Sequence, residues 1–184
     1  RHSARTLQQK VRRILSFQAA AHEVRNYSFD SEPFLDKIGR SSQNRLQLKN
    51  PLSSEQIALK TSLLPNMLVS LQRSVGYTNE LLIYEIGRVF QVEAFDPNDE
   101  LTARADLQPF HLSALLWKQD KHIKTPQKHE LGYDSVQDLA YADLKGVCEI
   151  LCAGLNTQVV YKRSDGQQPV WLHPARCALV CTEQ

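Results

Sequence analysis

Apolar residues recur at Leu7, Val11, Ile14 and Leu15, a spacing that lines up on one side of a helix. The pattern predicts a helix over residues 6–21, with Thr6 and Gln9 in capping-box positions. Arg5, Lys10, Arg12 and Arg13 fall on its other faces and read as a solvated surface, with an RNA contact as the alternative. The period then drops to two. Val24, Asn26 and Ser28 alternate against Arg25, Tyr27 and Phe29, which predicts a strand over residues 23–29. Residues 30–44, with Pro33 and Gly39, read as a surface excursion before a short strand over 45–49.

The stretch from Leu48 to Phe90 organises the chain. Pro51 biases Asn50 away from the α region and makes a turn. Ser53 and Gln56 form a capping-box pattern for a short helical turn. Pro65 stands where a second helix starts, a position at which proline sacrifices no hydrogen bond. Met67, Leu68, Leu71 and Val75 follow at helical spacing, and Gly76 is placed as the C-cap. LLIYEIGRVF, Leu81 to Phe90, is rich in β-formers and long enough for a central strand.

Residues 91–109 then read as a loop around Asp96-Pro97-Asn98-Asp99. Phe110 to Trp117 carries apolar residues on both faces, so it predicts a strand covered on both sides. Residues 118–134, rich in Lys and His, are a second loop. Ala142–Leu155 is an amphipathic helix with Leu144, Val147, Cys148, Leu151 and Leu155 on one stripe. Gly146 within it costs about 1 kcal/mol against alanine, which predicts a close-packed neighbour there. Val159–Arg163 and Ala178–Thr182 are short strands around Asp165-Gly166.

Few helices against several loop-connected strands, without a βαβ rhythm, predict an α+β fold: an antiparallel β-sheet flanked by helices. The 184 residues, 42% hydrophobic and 23% charged, fit one globular domain over 1–184. A net charge of +2 makes no case for nucleic acid by itself. No apolar run is long enough to span a membrane. Cys148, Cys152, Cys177 and Cys181 lack the Cys-x-x-Cys spacing of a zinc knuckle and read as buried thiols, as in a reducing cytoplasm. The expected location is cytoplasmic.

Candidate chemistry is sparse. Gly-x-Ser-x-Gly, His-Glu-x-x-His and a Gly-rich phosphate loop are all absent. His173 before Pro174 reads as structural. Asp143 is expected to interact with a helix N-terminus, and Arg88 to pair with Glu85 or a neighbour. Residues 118–134 are a solvated loop, or alternatively a phosphate-binding arm, with Lys118–Lys128 as the part a nucleic-acid-binding module would use.

Five pieces resemble, in order, the catalytic-core-like region of the bacterial-type phenylalanine–tRNA ligase β subunit. They are VRRILSFQAAAHEVRNYSF, NPLSSEQIALKTSLLPNMLVSLQ followed by YEIGRVF, FHLSALLW, ADLKGVCEILCAGLN and WLHPARCALV. The resemblance implies a class II synthetase-like core and an excised piece of a longer subunit. It implies an α2β2 assembly in which the α subunit charges tRNA(Phe) with phenylalanine, using ATP and Mg²⁺. On that pattern Leu7, Val11, Ile14 and Leu15 are the expected subunit interface.

Class II synthetases bind ATP with an arginine directly after a strand like GRVF and a second in Gly-x-Gly-x-x-Arg. Here Gln91 follows Phe90, Glu93 is left without that arginine, and no Gly-x-Gly-x-x-Arg occurs. An amide cannot neutralise a triphosphate as a guanidinium does. The expectation is therefore a non-catalytic scaffold, with no catalytic, cofactor-binding or metal-ligating residue of its own. The alternatives are an autonomous degenerate ligase that binds ATP near Arg88 and Gln91, or a tRNA-binding module.

Overall fold

The structure is a computed structural model that describes residues 4–39, 45–51, 53, 56–90, 108–119, 136–163 and 177–182. The expectations for Gln91, Glu93, Asp165-Gly166, His173 and the greater part of both long loops lie outside those residues. The chain divides into two compact units. The first comprises Arg1–Glu23, Tyr77–Leu82 and Leu116–Gln184; the second comprises Val24–Gly76 and Ile83–Leu115.

The first unit begins with α1, Ala4–Arg13, which places Thr6 inside the helix and not at its cap. Lys10, Arg12 and Arg13 in its last turn complement the helix dipole. From Ile14 to Gln18 the helix widens into a π turn, with the Ala19 N–H donating to the Ile14 carbonyl at 3.3 Å. Ala20, at φ 51°, ends it in the left-handed region usually left to glycine. Val11, Ile14 and Leu15 are buried, as the apolar stripe requires.

The second helix of this unit, α4, runs Val136–Gly154 and begins six residues before the expected start. Asp143 therefore sits mid-helix, where no N-terminal dipole reaches it. Gly146 is not tightly packed either: a β-carbon there would meet nothing within 4 Å. The close approach is at Gly154, where a β-carbon would stand 2.6 Å from Ile14 Cδ1. Strands β6, Val159–Arg163, and β7, Ala178–Thr182, have the expected bounds and pair antiparallel, Tyr161 opposite Val180. All four cysteines are free but only half-buried, so the expectation of buried thiols is too strong.

The second unit departs further from the pattern. The strand expected over 23–29 is broken: β1, His22–Glu23, belongs to the first unit, and only β2, Phe29–Asp30, lies in the second. Between them the Asn26 N–H points at the Glu85 carboxylate, 3.4 Å away, in place of a ladder carbonyl. The polar excursion holds a short helix, α2, Glu32–Lys37, with Pro33 in its first turn and Leu35 wholly buried. Six residues are too few for a helical period to register. Gly39 at φ 67° follows it.

The strand expected over 45–49 shrinks to one bridge, Gln47 to Ala58. Ala58–Leu59 forms β3, which pairs antiparallel with β2 in the register Phe29 to Leu59. Helix α3, Leu64–Ser74, carries Pro65 in its first turn as expected and buries Met67. Gly76 has no positive φ, so it is not a left-handed C-cap.

Strand β4, Glu80–Arg88, is the middle of a three-stranded sheet ordered β1-β4-β5. Ile83, Tyr84 and Glu85 are buried in succession along it. Strand β5, Phe110–Lys118, is not covered on both sides: its first three residues are exposed and the rest half-buried. The observed architecture is thus mixed α+β with small sheets.

Candidate functional site

The four residues expected at a subunit interface do not share one environment. Val11, Ile14 and Leu15 are 8%, 4% and 1% exposed and belong to the core of the first unit. Leu7 is 50% exposed, and Phe17, in the π turn, is 84% exposed. In an unbroken α-helix Phe17 would follow Ile14 by three positions and flank the buried stripe. The wider π turn, closed by the Ala19-to-Ile14 hydrogen bond, rotates it off that stripe. Sequence periodicity assumes 3.6 residues per turn and therefore misses it.

The same unit contains a groove of about 540 Å³ bordered by Gln18, His22, Glu80, Leu82, Asp143 and Gly146. Lys118 ties two of its carboxylates together, with Nζ 3.0 Å from Glu80 Oε1 and 2.5 Å from Asp143 Oδ2. Burial pushes the Lys118 pKa down, but hydrogen bonds and charge attraction from Asp143 and Glu80 outweigh it and leave the pKa raised. A raised lysine pKa stabilises the fold below the unfolded value, about 10.4, and the contribution is lost as pH rises through the folded value. Wild type should therefore lose more stability than Lys118→Met between pH 9 and 11.5, read by urea denaturation. Parallel pH profiles would remove the clamp from the account.

In the second unit a polar network is buried where β4, α3 and the loop after β1 meet. Lys60 Nζ lies 2.9 Å from Glu85 Oε1, and both side chains are almost inaccessible to water. Asn26 donates its amide to Glu85 Oε2 at 2.7 Å and accepts from the Ser70 hydroxyl at 2.7 Å. Beyond it, Asn66 donates to the Phe29 carbonyl at 2.9 Å, and Arg45 pairs with buried Asp30. A buried ion pair persists only when its remaining hydrogen-bonding capacity is met, and here Asn26 meets part of it.

The Gly87 side of β4 is filled by this network. A β-carbon at Gly87 would stand 3.0 Å from Leu63 Cδ2, 3.2 Å from Glu85 Oε1 and 3.5 Å from Lys60 Nζ. Arg88 does not pair with Glu85, because residues three apart on a strand point to opposite faces. Its guanidinium lies over the Phe110 ring, 4.4 Å from the centroid, and donates to the Gln108 carbonyl at 3.1 Å. Among the described residues no cluster of metal-binding side chains occurs. Glu85 and Lys60 neutralise each other. Sequence reading passed over Lys60 because it stands inside an apolar run, which by itself signals only burial.

Comparison with known proteins adds the family. The family described as Phenylalanyl tRNA synthetase beta chain CLM domain matches residues 1–184. The phenylalanine--tRNA ligase beta subunit of Oleidesulfovibrio alaskensis is 32% identical over 136 residues, 73% of this chain and 15% of that one. That of Streptomyces avermitilis is 30% identical over 193 residues, 94% of this chain and 22% of that one. The chain thus spans about a fifth of the length of the relatives it matches. A crystal structure of pyrrolysyl-tRNA synthetase from Desulfitobacterium hafniense superposes with a TM-score of 0.58 at 13% identity, covering 90% of this chain and 52% of that one. At that identity the likeness speaks to fold alone.

Proposed function

The chain belongs to the family of the phenylalanyl tRNA synthetase beta chain CLM domain, and from that premise we propose that it is a non-catalytic, class II synthetase-like core. On this reading residues 1–184 are one domain of the β subunit and support assembly with the α subunit of the ligase. The α subunit charges tRNA(Phe) with phenylalanine, and ATP and Mg²⁺ act there. tRNA engages the full α2β2 complex, and the assembly works in the cytoplasm.

The observation that carries this reading is the filled side of β4. ATP would need an open face and a guanidinium, whereas the chain offers Leu63, a closed Lys60–Glu85 pair and, in sequence, Gln91. These residues do not fit a triphosphate, which counts against an autonomous ATP-binding ligase. A tRNA-binding module built on residues 118–128 is weakened too, because Lys118 is already held by Glu80 and Asp143. No described helix is long and apolar enough to cross a membrane.

The burial pattern supports a narrower interface on the same helix. On this reading Val11, Ile14 and Leu15 serve the core, and the exposed Phe17 and Leu7 are the anchors that the helix offers a partner. An aromatic side chain left this exposed is a common source of binding energy at an interface centre. The chain, co-expressed with an α subunit, should co-purify with it, and Phe17→Asp should weaken that association by about thirtyfold or more. The variant should keep the wild-type unfolding curve, because Phe17 packs on little within the chain. The chain alone should show no ATP–pyrophosphate exchange with phenylalanine. Exchange by a clean preparation, or an undiminished complex with Phe17→Asp, would contradict the proposal.

A further inference from the structure

One side of α4 carries a group of residues that the assembly reading does not use. Tyr141, Lys145, Cys148 and Cys152 stand four, three and four positions apart, a spacing that aligns them along one side of the helix. Tyr161 of β6 meets that side: Lys145 Nζ lies over its ring, 4.9 Å from the centroid. Lys145 also reaches Glu149 Oε1 at 3.6 Å. Cys181 is not part of the group. It stands opposite Val160, so it projects from the other face of the β6–β7 hairpin from Tyr161.

The Tyr161 hydroxyl oxygen is buried yet has no hydrogen-bond partner among the described residues. A buried hydroxyl left in that state is costly and calls for an explanation. Burial pushes the phenol up, and Cys148, Glu149 and Cys152 push it further, which sets the orphan beside both thiols. The thiols are free and only half-buried, so a solute can reach them. A disulfide does not suit them. It needs β-carbons about 3.5–4.5 Å apart, whereas positions four apart on a helix hold them at about 5–6 Å. An ion placed between the two sulfurs spans that gap without unwinding the helix.

Thiolate sulfur selects soft ions, copper(I) among them. Zinc asks for three or four protein ligands, and among the described residues no group of three metal-binding side chains occurs. Copper(I) is satisfied by two sulfurs in line. The geometry points to a two-coordinate copper(I) site at Cys148 and Cys152, with the Tyr161 hydroxyl donating to a bound thiolate. Two thiolates around a monovalent ion leave one negative charge, which Lys145, one turn away, offsets. Binding releases one proton from each thiol and changes no oxidation state. This inference goes beyond the assembly reading and does not depend on the α subunit.

The test is anaerobic titration of the reduced 184-residue chain with copper(I), in competition with bicinchoninate. One copper should bind per chain, and the Cys177→Ser, Cys181→Ser double variant should keep it. Cys148→Ser and Cys152→Ser should each lose it while their circular dichroism stays that of wild type. Tyr161→Phe should weaken binding by about 10- to 100-fold, the usual effect of removing a group that hydrogen-bonds to a ligand. The same variant should raise the urea midpoint of the metal-free chain, because it deletes an unsatisfied hydroxyl. A merely structural tyrosine would leave the copper affinity unmoved. Copper retained by Cys148→Ser, copper lost with Cys177 and Cys181, an unchanged affinity in Tyr161→Phe, or zinc bound more tightly than copper would overturn the assignment. None of these outcomes alters what the co-purification measurement reads.

Discussion

Glu85→Ala should destabilise the fold by about 3–5 kcal/mol, the usual penalty for removing one partner of a buried ion pair. Two effects add. The Lys60 ammonium would remain charged and almost inaccessible to water without its 2.9 Å partner. Asn26 would lose the carboxylate that accepts from its amide at 2.7 Å and faces its backbone N–H at 3.4 Å. That N–H has no ladder carbonyl to return to, since β1 has ended at Glu23. Urea denaturation should show a lower midpoint at unchanged slope. The paired replacement Lys60→Met with Glu85→Leu should recover a large part of the loss, because a well-packed apolar pair can match a buried ionic one. A loss under about 1 kcal/mol for Glu85→Ala would mean that water reaches the pair, and the Gly87 side of β4 would then be open.

That network also marks where the sequence was legible. Elements with a sustained period were readable: the stripe of α1, the helix opened by Pro65, the strand LLIYEIGRVF and the β6–β7 hairpin. Each is written in local spacing, and local spacing decides which face is buried. The failures share a different cause. Asn26 breaks its strand because a carboxylate 59 positions away takes the place of a ladder partner, and nothing near Asn26 announces that. Asp143 was placed at a helix start although Val136, Leu139 and Ala140 already carry the helical spacing that extends α4 back by six residues. Its partner is Lys118, on a strand that ends 25 residues earlier. Phe17 became a surface residue through a π turn, a change of pitch that a count of apolar positions does not contain. Of the candidate interface, the helix was legible but the division into core and surface was not. Resemblance supplied the family without assigning the burial of any one residue.

The contact between Ile14 and Gly154 gives the second large effect, and it separates packing from partner binding on the same helix. Ile14→Ala should cost about 2–5 kcal/mol, since it removes a buried branched side chain from a site with little room to collapse. Gly154→Ala should cost about 1–3 kcal/mol by overpacking, despite the better helix propensity of alanine. Its β-carbon would lie 2.6 Å from Ile14 Cδ1 and 3.0 Å from Cγ1, so the isoleucine would have to move as a whole. In the double variant the new methyl occupies space that Ile14 has vacated. The two losses should therefore fall short of their sum by at least about 0.5 kcal/mol, beyond the scatter expected of independent sites. Strict additivity would mean that the helices do not meet at this point. Once folded, the double variant should bind an α subunit as wild type does, because neither position reaches the surface that Phe17 and Leu7 present. A complex lost in step with Phe17→Asp would instead return Ile14 to the interface.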